Sequence, residues 1–92
     1  MTERAVLVSI RGRVQGVGYR MWTARQARAL GLRGWVKNEP DGSVAALVGG
    51  ADAAVQEMLD LFWIGPSAAH VARVEDCPAD HDGLPDDFSQ LR

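Results

Sequence analysis

The hydrophobic period of this chain switches repeatedly between two and 3.6, and most of the switches fall at glycines. From Ala5 to Arg13 the residues alternate, with Val6, Val8 and Ile10 on one side and Ser9, Arg11 and Arg13 on the other. A half-buried strand has this period, because successive side chains leave opposite faces of the backbone. Val14 to Gly18 is a glycine-punctuated turn. Beyond it Tyr19, Thr23, Ala24, Ala27 and Leu30 gather on one side at helical spacing, with Arg25 and Arg28 pointing away. Gly31 and Gly34 bracket the exit, consistent with a helix that ends near Leu30 and a left-handed glycine just past it.

Leu32 to Asn38 then predicts a second strand, Asp41-Gly42 a tight turn, and Ser43 to Val48 a third strand returning antiparallel. From Ala51 the helical period returns, with Ala54, Val55, Met58, Leu61 and Phe62 on one face and Gln56, Glu57 and Asp60 on the other. Gly65-Pro66 stops that helix. Ala69 to Asp76 predicts a fourth strand, and the odd spacing of Val71 and Val74 predicts a bulge or a frayed edge in it. Cys77 to Asp87 is acidic and broken by Pro78, Gly83 and Pro85, which predicts a surface loop before a short terminal strand at Phe88 to Leu91. The order βαββαβ with an added β is the α+β, ferredoxin-like split βαβ arrangement, two helices packed on one face of a mixed, mainly antiparallel sheet.

Size and charge narrow what such a fold can do. With 92 residues the chain is expected to form one domain over 1–92, since so short a chain supports a single core. No stretch has the apolar length that spans a bilayer, and Met1 to Val8 lacks a signal-peptide core, so no membrane partner and a cytoplasmic address are expected. A net charge of −2 argues against nonspecific nucleic-acid binding, which draws its affinity from phosphate neutralisation. Single-stranded RNA recognition on such a sheet needs aromatic residues on the central strands, and strands one and three carry none. Cys77 is the single cysteine, which rules out an intrachain disulfide or a cysteine-built zinc site.

His70 and His81 lack ligand partners at a familiar spacing, so neither a metal nor a cofactor is expected. Asp80, Asp82, Asp86 and Asp87 read as a solvated acidic loop. Trp22, Trp35 and Trp63 read as packing residues, with Met21 and Trp22 as an alternative contact patch, and the chain is expected to be a monomer.

Chemistry concentrates in Gly12-Arg13-Val14-Gln15-Gly16-Val17-Gly18-Tyr19-Arg20, a strand end, a glycine-rich turn and a first helical turn. Backbone N–H groups converge at such a junction without helical partners, and the helix dipole adds positive potential. A cation near a helix N-terminus is unfavourable by roughly 0.3 to 1 kcal/mol, so Arg20 is misplaced there unless an anion binds beside it. Its planar guanidinium grips two phosphate oxygens at once. The same residues also suit a plain tight turn with a solvated arginine. The pattern matches neither the phosphate loop of nucleotide hydrolases nor the dinucleotide fingerprint.

Asn38 is the second candidate. In a split βαβ unit strands one and two run parallel, so the end of strand two lies at the edge that carries the glycine turn. Alternation from Val36 puts Asn38 on the helix side, where a neutral amide both donates to and accepts from a water. A turn asparagine beside Glu39-Pro40-Asp41-Gly42 accounts for it equally well.

With Gly12 to Arg20 are found Gly31-Leu32, Gly34-Trp35-Val36-Lys37-Asn38, Asp41-Gly42-Ser43-Val44, and Gly65-Pro66 followed by Ala69 and Val71. In these residues, over almost its whole length, the chain resembles the acylphosphatases. The resemblance implies a ferredoxin-like hydrolase of small acyl phosphates. In it the residue matching Arg20 and the amides of Gln15, Gly16, Val17, Gly18, Tyr19 and Arg20 bind phosphate, and the residue matching Asn38 orients water. Tyr19 departs from the family's commoner phenylalanine, and Ala45 and Leu47 make the outer face of strand three less polar than usual. Similar domains occur within larger maturation proteins that handle carbamoyl phosphate; a chain ending at Arg92 is expected to be a free-standing enzyme.

Overall fold

Val6, Val8 and Ile10 are no more than 1% exposed, while Leu7 between them is 43% exposed, so the alternation in the sequence is the alternation of the sheet. The computed structural model describes residues 3–92; Met1 and Thr2, the start of the N-terminal stretch read above, lie outside them. The elements run β1 (Glu3–Arg13), α1 (Tyr19–Ala29), β2 (Arg33–Asn38), β3 (Val44–Ala51), α2 (Asp52–Ile64), β4 (His70–Pro78) and β5 (Phe88–Gln90), with a 3₁₀ turn at His81–Gly83. The sheet order is β4-β1-β3-β2-β5. Every neighbouring pair is antiparallel except β2 with β5. β1 and β2 therefore run parallel on either side of β3, and their C-terminal ends share one edge of the sheet.

The core forms where the helices cover the Val6/Val8/Ile10 face. β2 and β3 add Val36, Val44, Ala46 and Val48; α1 adds Tyr19, Thr23, Ala24 and Ala27; α2 adds Val55, Met58, Leu59 and Phe62. Leu59, absent from the helical stripe read in the sequence, is only 7% exposed. The Tyr19 hydroxyl donates to the Phe62 carbonyl at 2.7 Å, satisfying one of the last-turn carbonyls of α2 that have no helical partner. This is what the tyrosine does in place of phenylalanine.

The bulge expected in the fourth strand lies at Ala72, which has no partner between the pairs Arg11 with Arg73 and Gly12 with Val71. A Cβ on Gly12 would stand 2.3 Å from the His70 carbonyl oxygen, so the close approach of β4 here requires glycine. Three boundaries differ from the sequence reading by more than one residue, the first being that β1 begins at Glu3 rather than Ala5. β3 continues through Gly49 and Gly50 to Ala51, and Leu84 occupies the space above Gly49 that a side chain would fill. β4 continues to Pro78, with Cys77 paired to Leu7, so the loop begins two residues later than its composition suggests.

Candidate active site

The connection from β1 to α1 is short, and Val14 anchors it in the core at 1% exposure. Gly16 and Gly18 have φ of 73° and 78°, whereas every non-glycine residue described has negative φ. The sign of φ thus alternates from Gln15 to Gly18, the geometry that turns successive N–H groups toward one concave side. Beyond the adjoining residues, no protein atom lies within 4 Å of a Cβ built on either glycine, so the requirement for glycine here is conformational rather than steric.

Among the described residues, none of the N–H groups from Gln15 to Arg20 donates to a loop, turn or side-chain acceptor. Gly18 is the N-cap of α1; no side chain caps this end and its first turn holds no acidic residue. The positive end of the helix and the loop amides face the same place. That combination attracts an anion.

Arg20 lies in the first turn of α1 and is half-buried. Its Nη1 donates to the Leu91 carbonyl at 2.6 Å, and it has no carboxylate partner among the described residues. The Leu91 N–H in turn donates to the Val36 carbonyl of β2 at 2.8 Å. Arg20 is thereby held against the β2 edge by a neutral acceptor that leaves its charge uncompensated. Arg28, which the helical period pointed away from the core, reaches β5 and donates to the Phe88 carbonyl through Nε at 3.1 Å and Nη2 at 2.9 Å.

Asn38 ends β2 opposite Val44, on the same face as Val36, which is 0% exposed, and so on the helix side of the sheet. Its side-chain amide is half-buried and makes no hydrogen bond within the protein among the described residues. Two contacts tie the turn after Asn38 to the β1 side. Arg11 pairs with Asp41 at 3.3 Å, and Gln15 Nε2 donates to the carbonyls of Glu39 and Ser43 at 2.8 and 2.9 Å. Asp41 Oδ1 accepts from the N–H and the hydroxyl of Ser43 at 2.9 and 2.6 Å. Those bonds, with the nearby Arg11, hold the Asp41 carboxyl below its usual range.

The two side chains singled out in the sequence therefore lie at one edge of the sheet, joined to it through Leu91 and Gln15. Sequence reasoning counted Gln15 only for its backbone and placed Leu91 only at the end of the terminal strand. The one available signal was a polar side chain in a turn that otherwise holds glycine and valine. Among the described residues no group of three His, Cys, Asp or Glu side chains is arranged to hold a metal.

Other surfaces lie apart from this edge. A groove of about 560 Å³ on the helix-free face of the sheet is lined by residues including Leu7, Trp35, Lys37, Ala45 and Cys77, and by neither Arg20 nor the loop. It is not where the chemistry converges. Trp35 lines that groove, half-buried, with Lys37 Nζ 5.2 Å from its ring centre, and Trp63, which falls off the helical stripe, is 53% exposed. Trp22 does pack, with its ring centre 5.3 Å from that of Tyr19.

A family model described as "Acylphosphatase" matches residues 6–90. An acylphosphatase of Rhizobium meliloti is 61% identical over 72 residues, which cover 78% of this chain and 76% of the relative. One from Rhizobium etli is 52% identical over 86 residues, covering 94% and 92%. Among solved structures, the acylphosphatase of Bacillus subtilis superimposes with a TM-score of 0.92 at 29% identity, covering 99% of this chain and 100% of that one.

Proposed function

The chain belongs to the acylphosphatase family, and from that premise we propose how it hydrolyses the carboxyl–phosphate bond of small acyl phosphates to a carboxylate and inorganic phosphate. The phosphoryl group sits in the Gln15 to Arg20 loop, held by the backbone N–H groups and the Arg20 guanidinium. Asn38 holds a water in line with the bond that breaks. The water oxygen bonds to phosphorus, and the electron pair of the cleaved P–O bond leaves with the carboxylate. The water's proton passes to a phosphate oxygen.

So few groups suffice because the leaving group is the conjugate base of an acid with pKa about 4, which departs without a general acid. What remains is to position water and stabilise the charge on the phosphoryl oxygens. The single observation that carries the reading is the alternating-φ loop whose N–H groups find no loop or side-chain acceptor among the described residues, next to an arginine that has no carboxylate partner among them. A monomeric, cytoplasmic enzyme working without metal or cofactor is the form we propose. The exposed free thiol of Cys77 suits a reducing compartment.

Hydrolysis of benzoyl phosphate with a chelator present tests the assignment. Activity should survive the chelator. Arg20→Ala should weaken substrate and phosphate binding as well as turnover. Asn38→Ala should keep phosphate binding and lose turnover by about 10² to 10³, the usual consequence of removing one positioned polar group. Folded variants that both retain full activity would refute these roles.

A further inference from the structure

Among the described residues, the Gln15 side chain bonds only to the turn that follows Asn38. Its Nε2 donates to Glu39 O and to Ser43 O, which lie 24 and 28 residues further along the chain. Both neighbours are carbonyl oxygens, so only the amide nitrogen can face them, and its two hydrogens serve two acceptors. Glu39 directly follows Asn38, and Ser43 directly precedes Val44, the register partner of Asn38. One side-chain amide therefore brackets the Asn38–Val44 pair from both strands. The backbone of the same residue begins the run of alternating φ that forms the phosphate loop.

The turn would close without it. Glu39 N already donates to Ser43 O at 2.8 Å, Gly42 N donates to Glu39 O at 3.1 Å, and Asp41 caps Ser43. Gln15 adds to a hairpin that is complete on its own, and what it adds is a fixed distance between the loop and the strand end. Chemistry at phosphorus depends on that distance, since the phosphate is held on one side of it and the water on the other.

We propose that Gln15 is a positioning residue for the attacking water: its side-chain amide sets Asn38 against the phosphate loop. The inference rests on the roles given above to the loop and to Asn38. It makes Gln15 act through Asn38, without touching the water or the phosphate through its side chain. Removing the two bonds should leave the loop amides and Arg20 able to hold phosphate, while the water loses its line of attack.

Gln15→Met, which keeps length and loses both donors, is compared with the unmodified protein, Asn38→Ala and the double variant, using benzoyl phosphate turnover and competitive inhibition by inorganic phosphate. The expected result is a fall in kcat of about ten- to a hundredfold in Gln15→Met, with the phosphate inhibition constant changed by less than about threefold. In the Asn38→Ala background the same substitution should cost no more than about twofold. A merely structural role would move turnover and phosphate binding together and would persist when Asn38 is gone. Full additivity in the double variant, or unchanged kcat in folded Gln15→Met, overturns the inference alone. An Asn38→Ala protein with full activity overturns the reading beneath it as well. Should Gln15→Met fail to fold, Gln15→Asn, whose shorter amide cannot span both carbonyls, carries the same four-way comparison.

Discussion

Tyr19 shows how one atom's burial becomes measurable. Its ring is stacked 6.4 Å from Phe62, and its hydroxyl is bonded to the Phe62 carbonyl. Burial raises its pKa above the ordinary 10.0, because the phenolate would lose solvation. A raised pKa on an acid means that the neutral form is favoured in the folded state. That stability is complete below pH 10 and is lost as pH climbs from there toward the folded value. Tyr19 is the only tyrosine, so tyrosinate absorbance titrates this group alone. It should appear only well above pH 10, together with unfolding. Tyr19→Phe should cost about 1 kcal/mol by leaving a carbonyl unpaired, flatten the alkaline loss of stability, and leave benzoyl phosphate turnover unchanged. Early, reversible tyrosinate formation in folded protein would contradict this placement. The places of Arg20 and Asn38 in the fold were legible at this same scale. The arginine stood out against the helix dipole, and the asparagine's place followed from parallel strands. The Gln15 and Leu91 contacts were not, because they join positions 24, 28 and 71 residues apart with no periodic trace.

At the scale of elements, what the sequence disclosed is what period and punctuation encode. The β1 alternation, the α1 stripe and the tight β2–β3 turn could be read directly, since each depends on neighbours within a few residues. The end of β3 was hidden by Gly49-Gly50, which reads as a break. There the sheet continues because Leu84, from the later acidic loop, supplies the bulk that the glycine lacks. Pro78 hid the end of β4, although a proline is tolerated at the last position of an edge strand. β5 is only three residues long, yet two α1 arginines fasten this terminal segment to the helix through the Phe88 and Leu91 carbonyls. Deleting Leu91 and Arg92 should therefore reach the site. Arg20 loses its only protein acceptor among those described, and phosphate affinity should fall by about three- to tenfold, with the core intact by circular dichroism. Unaltered inhibition by phosphate after truncation would show that Arg20 needs no such tether.

The whole molecule divides its work by face and by edge. Helices cover one face of the sheet and build the core there, the opposite face carries a groove, and the proposed site lies on the edge where β1 and β2 both end. The chain is net acidic at −2, yet that edge gathers a guanidinium with no carboxylate partner among the described residues, a helix N-terminus and a row of amides without loop or side-chain acceptors there. A local positive field within an acidic surface selects a small anion over a polyanion. The roles given to the loop, Arg20 and Asn38 require that the site grips the phosphoryl group and that water attacks phosphorus. Hydrolysis of benzoyl phosphate in ¹⁸O-labelled water tests this most directly. The label should appear in inorganic phosphate and not in benzoate; label in benzoate would mean attack at the carbonyl carbon, and would contradict the roles given to the loop, Arg20 and Asn38 alike.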